Sequence, residues 1–325
     1  MAHNPQLDVL ALGELLIDMF AADTGDLVAA RRFEKAAGGA PANVAVGVNR
    51  LGRRGGFVGC VGDDAFGRFL RLTLEGEGVN TDGLVSTKHA PTTLALVSRA
   101  EDGERDFQFY RNPGADTLLS AESISDDLIR SATILHVGSL SLTDEPARSA
   151  TLDAVARAQS FGLTVSCDPN LREPLWRGDL LRARTEIAGL IRQSNVIKLS
   201  QDELRFMTNT DELGTAAAHL WHPNLKLLVV SLGPRGCWYR CASGQDYVAG
   251  FNVAAIDTTG AGDSFVAGLL VALLDLGVDL MTPDMEGVKQ ALRWANAAGA
   301  LATTHLGAIP ALPTSQQVQQ LVASR

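Results

Sequence analysis

The chain has no excess of basic residues. Its 28 Lys and Arg stand against 37 Asp and Glu, a formal net charge of −9. That balance excludes the basic face a nucleic-acid partner needs and gives an anionic substrate no long-range attraction, so a nucleotide would arrive carrying Mg2+. Cysteine is sparse and badly placed for a metal: Cys60, Cys167, Cys237 and Cys241 have no zinc-ligand spacing, and the close pair Cys237 and Cys241 flanks Trp238 and Tyr239 in a strand-like run. All four read as small buried or half-buried residues. His219 and His222 stand at helical spacing around Trp221, without the carboxylate or third His that a metal set needs. Long uncharged apolar runs are also missing. The stretch after Asp263 is interrupted by Asp275 and Asp279, and the first run by Asp8, Glu14 and Asp18. Met1 to Pro5 carries no basic region of a secretory signal. These absences predict a cytoplasmic protein with no membrane segment. No Gly-x-x-x-x-Gly-Lys-Ser/Thr occurs, which excludes a P-loop kinase, and no strand-linked Gly-x-Gly-x-x-Gly supports a dinucleotide-dependent oxidoreductase.

What is present is ordinary globular material, 325 residues at 46% hydrophobic and 20% charged. Short apolar runs alternate with helix-like segments. Leu7–Leu12, Gly56–Val61, Ile134–Gly138, Leu163–Asp168, Asn195–Leu199 and Leu227–Leu232 read as strands. Ala42–Leu51, Phe66–Glu77, Ala147–Gly162, Arg182–Gln193, Asp202–Asn209 and Thr215–His222 read as helices between them. Near-continuous apolar strands separated by amphipathic helices predict an α/β fold, a mostly parallel sheet covered on both faces, with functional loops at the strands' carboxyl ends. Two stretches break the alternation. Segments of about 14–37 and 91–116 hold strand-like pieces such as Thr92–Ser98 and Asp106–Tyr110, joined through the turn Glu101-Asp102-Gly103-Glu104. They predict a small antiparallel sheet inserted into the main fold. With no internal repeat, low-complexity tract or long polar linker, residues 1–325 read as one domain carrying that insertion.

Two glycine clusters stand out. Asp257-Thr258-Thr259-Gly260-Ala261-Gly262-Asp263 runs into an apolar stretch, Ser264 to Leu274. Small residues there let backbone N–H groups crowd at a helix start, where unpaired donors and the helix dipole favour an anion. Asp263, facing such an anion site, makes sense as a base that takes a proton from an attacking hydroxyl; the competing reading is a plain helix N-cap. Gly38-Gly39-Ala40-Pro41-Ala42-Asn43 opens a second small-residue helix, Val44 to Gly52. Two such loops, far apart in sequence, imply two ligands.

In these two clusters the chain resembles the ribokinase-like sugar kinases of the phosphofructokinase-B family. That family carries a Gly-Gly-x-x-x-Asn loop near the N-terminus and an Asp-Thr-x-Gly-Ala-Gly-Asp loop near the C-terminus, and both occur here in that order. The resemblance extends over nearly the whole chain. It implies a ribokinase-like three-layer fold with the inserted sheet as a lid over the sugar, a lid that often mediates a homodimer. It implies ATP and Mg2+, Asp263 as general base, and an anion hole from the amides of Gly260, Ala261 and Gly262. For the sugar it implies Asp18, Gly38, Gly39 and Asn43. Leu16 stands where ribokinases proper have Asn, which makes ribose less attractive. The segments Phe109 to Asp116 and Asp168 to Trp176 resemble those of fructokinases; they add Asp168, Arg172 toward a phosphoryl oxygen and Arg111 closing over the sugar from the lid. For the nucleotide the resemblance implies Ser231, Gly233, Gly236 and Asn296, with Glu203 organising Mg2+-bound water and Lys198 near enough to serve the nucleotide. Asp257, Thr259, Ala302 and Gly307 match a monovalent-cation (K+) site built partly of carbonyls. The expected activity is transfer of the γ-phosphoryl group of ATP to the 6-hydroxyl of D-fructose. The rivals are kinases of 2-keto-3-deoxygluconate or aminoimidazole riboside, a non-catalytic sugar- or nucleotide-binding regulator, and a sugar oxidoreductase.

Overall fold

The computed structural model describes residues 6–23, 25–99 and 105–324. Its first strand, β1 (Leu7–Leu12), is buried at every position, as is β4 (Gly55–Gly62). Strands apolar on both faces need cover on both faces, and helices supply it. The remaining strands are β2 (Leu16–Ala21), β3 (Phe33–Gly38), β5 (Asn80–Thr87), β6 (Leu94–Arg99), β7 (Arg105–Tyr110), β8 (Ala132–Val137), β9 (Thr164–Cys167), β10 (Val196–Ser200), β11 (Leu227–Ser231), β12 (Gly236–Cys241) and β13 (Gly244–Ala249). The helices are α1 (Ala40–Arg50), α2 (Ala65–Gly76), α3 (Asp126–Arg130), α4 (Ala147–Ser160), α5 (Leu180–Arg192), α6 (Gln201–Thr208), α7 (Leu213–Leu220), α8 (Ala261–Asp275), α9 (Met285–Ala302) and α10 (Ser315–Ala323).

Among the described residues nine strands form the main sheet in the order β13-β12-β11-β10-β9-β8-β1-β4-β5. It is parallel from β11 to β5, and β12 and β13 add an antiparallel hairpin at one edge. The chain builds outward from β1 to β4 and β5, then returns to place β8 on the other side of β1. The order therefore reverses at β1 and β8, and ligands in open α/β sheets bind outside the carboxyl ends of strands at such a point. One face packs on α4 to α7, with Val155, Ile187 and Leu204 in a single apolar cluster. The other packs on α1, α8 and α9, which approach closely because they present small residues: a Cβ added at Gly47 would meet Ala267 Cβ at 2.7 Å, and one at Gly268 would meet Ala298 Cβ at 2.8 Å.

The inserted strands form a separate sheet, β3-β2-β6-β7. Its outer pairs are antiparallel, but the central pair β2 and β6 runs parallel, with Ile17 opposite Leu94 and Phe20 opposite Val97. The expected small antiparallel sheet is thus present, with one parallel pair at its centre where β2 and β6 run the same way. The expected turn at Glu101 to Glu104 lies outside the described residues. Strands β5 and β13 and helices α3, α9 and α10 were not anticipated.

Candidate active site

The loop ahead of α8 sets the chemistry. Gly260 is the N-cap, at φ +75°, and a Cβ there would press on Ala308 Cα at 3.0 Å. Asp263 is thus the third residue of α8, and the N-cap reading is corrected: its side chain accepts from side-chain amides instead of capping the helix. Asn43 Nδ2, carried by α1, donates to Asp263 Oδ2 at 2.7 Å, and Asn170 Nδ2 donates to Oδ1 at 3.2 Å. Burial pushes the Asp263 carboxyl up to about 6; Asp168 adds to the rise, while the Asn43 bond, Lys198 and Arg172 oppose it.

Two cavities meet at the start of α8. One, of about 350 Å3, is lined by Asp18, Gly39, Asn43, Arg172 and Asp263, with Leu16 and Phe109 as apolar wall. The other, of about 300 Å3, is lined by Ser231, Gly233, Gly236 and Asn296 with Phe251 and Phe265. Gly262 lines both. Lys198 reaches this junction from β10: its Nζ donates to Asp168 Oδ2 at 2.9 Å and lies 3.1 Å from where a Gly262 Cβ would stand. Burial pulls the Lys198 ammonium down, but Asp168, Glu203 and Asp263 outweigh it and hold it above its ordinary value. A buried cation, a helix N-terminus and a half-poised carboxylate therefore stand together between two pockets. The Ala261 N–H donates to Thr258 O at 3.2 Å, so within the expected anion hole Gly260 and Gly262 are the better-placed donors.

Other expected residues fall into groups. Asp18, midway along β2, lines the first cavity and packs over Gly38, where any Cβ would run into its carboxylate. Buried Asp168 has one oxygen, Oδ1, without a hydrogen-bond partner, and it stands behind the cavity wall, where its other oxygen accepts from Lys198. Glu203 closes a capping box on α6 through Ser200 and accepts from Leu171 N at 2.8 Å, so it holds the loop that carries Asn170 and Arg172. Asn296 donates to the carbonyls of Val248 and Ala249, pinning the end of β13 to α9 beside the second cavity. Asp257 gathers the cation positions: Oδ1 accepts from the amide and hydroxyl of Thr259, and Oδ2 from Gly307 N at 2.9 Å. Buried Ala302 ends α9, next to Thr303, whose carbonyl accepts from Asp257 N.

Arg111 does not join them, and its expected role over the sugar is corrected. It is 6% exposed and outside both cavity walls. Its guanidinium is engaged by Asp116 Oδ2, Thr143 Oγ1 and Leu140 O. A buried guanidinium needs such partners, and here they tie the end of β7 to the segment after β8. Sequence reasoning had not marked Glu14 and Asn170 among the cavity residues. Glu14 Oε1 accepts from Ala40 N, the first amide of α1, at 2.9 Å, and burial pushes its carboxyl up to about 7. Both sit in segments already singled out, but nothing in a lone polar loop residue announces its direction. Among the described residues no three His, Cys, Asp or Glu are grouped to hold a metal, and no helix is long and apolar enough to cross a membrane.

An α/β sheet with two cavities sharing a glycine-rich helix start, a buried carboxylate and a buried lysine fits a phosphotransferase acting on a hydroxyl. The model of the pfkB family carbohydrate kinases matches residues 6–315. The chain belongs to that family and is a sugar kinase. It is 46% identical over 316 residues to fructokinase-2 of Solanum habrochaites, covering 97% of this chain and 95% of that protein. Among solved structures it is similar to a Xylella fastidiosa fructokinase with bound ATP, at 38% identity and TM-score 0.85, covering 98% of each chain. A Vibrio cholerae fructokinase double mutant with fructose, ADP and potassium ion bound matches at 35% identity and TM-score 0.85, over 98% of this chain and 99% of that one.

Proposed function

We propose that the chain is a cytoplasmic fructokinase that transfers the γ-phosphoryl group of ATP to the 6-hydroxyl of D-fructose. Asp263, held at the junction of a polar cavity and an apolar-walled one, carries this reading. Fructose occupies the first cavity, with Asp18, Gly39 and Asn43 meeting its hydroxyls; Asn43 Oδ1 is buried without a partner and so accepts one of them. ATP lies over Ser231, Gly233 and Gly236, its γ-phosphoryl group at the start of α8. Asp263 takes the hydroxyl proton as the oxygen attacks phosphorus, the bond to ADP breaks, and ADP leaves with the electron pair. The amides of Gly260 and Gly262, with Lys198 and Arg172, meet the charge on the moving group. Mg2+ supplies neutralisation of the β- and γ-oxygens when bound. Glu203 would hold one of its waters through the lone pairs left beyond its two amide bonds, a hard oxygen donor suited to that ion. Asp257 and carbonyls near Thr259, Ala302 and Gly307 are oxygen donors of the kind that suit K+. Phe33 and Tyr110, exposed on the lid's edge strands, support a homodimer formed there.

In a coupled assay across hexoses, ketoses, pentoses, sugar acids and nucleosides, D-fructose is expected to be the best acceptor. A ribose or riboside preference of tenfold in kcat/KM, about 1.4 kcal/mol of transition-state discrimination, rejects it. The pH profile is a second check. Asp263 acts as carboxylate, and its carboxyl is raised to about 6, so the active form is present above that value and lost below it. kcat/KM is expected to fall as pH drops through about 6; a profile flat down to pH 4.5 would remove Asp263 as the base.

A further inference from the structure

The loop after β9 delivers a side chain that the reading above leaves without a task. Asn170 sits at φ +50°, a left-handed conformation that Asn adopts more readily than most residues. The loop around it is pinned from three sides: Asp168 N donates to Val137 O, Ser139 N to Pro169 O, and Leu171 N to Glu203 Oε1. Such a loop gives its side chain one direction, and Asn170 Nδ2 points to Asp263 Oδ1. An ionised carboxylate only accepts, so Asn170 and Asn43 must both present their NH2 groups to it. The two donors reach Asp263 from different elements, the β9 loop and α1.

We propose that Asn170 is a positioning residue of the phosphoryl transfer, gripping one oxygen of Asp263 while Asn43 grips the other, so that the remaining lone pairs face the acceptor hydroxyl. This rests on Asp263 being the base. Two donated bonds fix the carboxylate plane, and they favour its charged form against the burial that opposes it. The charged groups facing Asp263 are Asp168, which raises its proton affinity, and Lys198 and Arg172, which lower it. Glu203 faces Lys198, and Asp18 and Glu14 line the same cavity. None of these supplies a second fixed donor to Asp263 among the described residues.

The test is Asn170→Gly, which removes the amide and keeps the left-handed backbone free of strain, beside the near-isosteric Asn170→Asp. The removed bond is one to a charged group, so in Asn170→Gly kcat is expected to fall on the order of tenfold or more and the acid limb of kcat/KM to rise by about one pH unit. KM for ATP is expected to stay within about twofold, since ATP binds in the other cavity. Asn170→Asp places a carboxyl against a carboxyl, so its acid limb is expected to rise further. A merely structural role would change melting temperature and leave the limb in place. An acid limb unmoved in both folded variants overturns the proposal. If Asp263→Asn turns over normally, the base assignment itself has failed; if it is inert while Asn170→Gly keeps wild-type kcat and pH profile, only the role of Asn170 has.

Discussion

Asp263→Asn is expected to lower kcat by on the order of 10²–10⁴ while both ligands still bind, because an amide cannot accept the proton that the attacking hydroxyl must lose. The substitution separates chemistry from structure unusually well at this position. Asp263 is the third residue of α8 and does not cap it, so no cap is lost. The new amide can accept from Asn43 or Asn170 but meets the other with a donor, a cost on the order of 1 kcal/mol. Removing a buried carboxylate whose ionisation is disfavoured works in the other direction. Stability is therefore expected to stay within roughly 1 kcal/mol of wild type. Steady-state turnover, calorimetric binding of fructose and ATP, and a melting curve decide the matter together. A stable variant with near-normal turnover would return the loop to a phosphate cradle without a base.

Asp18→Ala is expected to raise KM for fructose by well over tenfold and leave KM for ATP nearly unchanged. Its carboxylate lies over Gly38 on the wall of the sugar cavity, separate from the wall around Ser231 and Asn296. Losing this half-buried acceptor on the cavity wall strands the hydroxyls it would pair with, which costs selectivity steeply. Equal losses for both ligands would mean that Asp18 supports the lid instead, since it also sits in register with Ala36 and Ala95 across that sheet.

The twelve strands and helices read from the core segments all appear, with ends shifted by a few residues, because each follows from a local period or an apolar run. β13 escaped notice because its polar-rich run Gly244–Ala249 is held by pairing with β12, a tertiary cause that a short window does not contain. The parallel centre of the lid is likewise invisible locally. In the site, the glycine loops were legible because backbone approach demands small residues whatever the context. Arg111 was misread because an arginine near a ligand and an arginine buried in an ion pair look the same in one dimension; Asp116 and the carbonyl of Leu140 decide between them. Asn170 lay in a segment that had been singled out, but the role proposed for it is a direction, and direction is set by three bonds to β8, the turn after it and α6.

The parallel pairing of β2 with β6 also bears on how the chain reaches this fold. Those strands are separated in sequence by β3, α1, β4, α2 and β5, so their ladder closes only after the segment between them has compacted. Joining distant strands costs loop entropy before any contact rewards it, which slows such pairings. β1 meets β4 and β8 beneath it, with helices on both faces, whereas the lid has its own separate sheet. The lid therefore links two distant parts of the chain, so the roof of the first cavity depends on the folding of everything between β2 and β6.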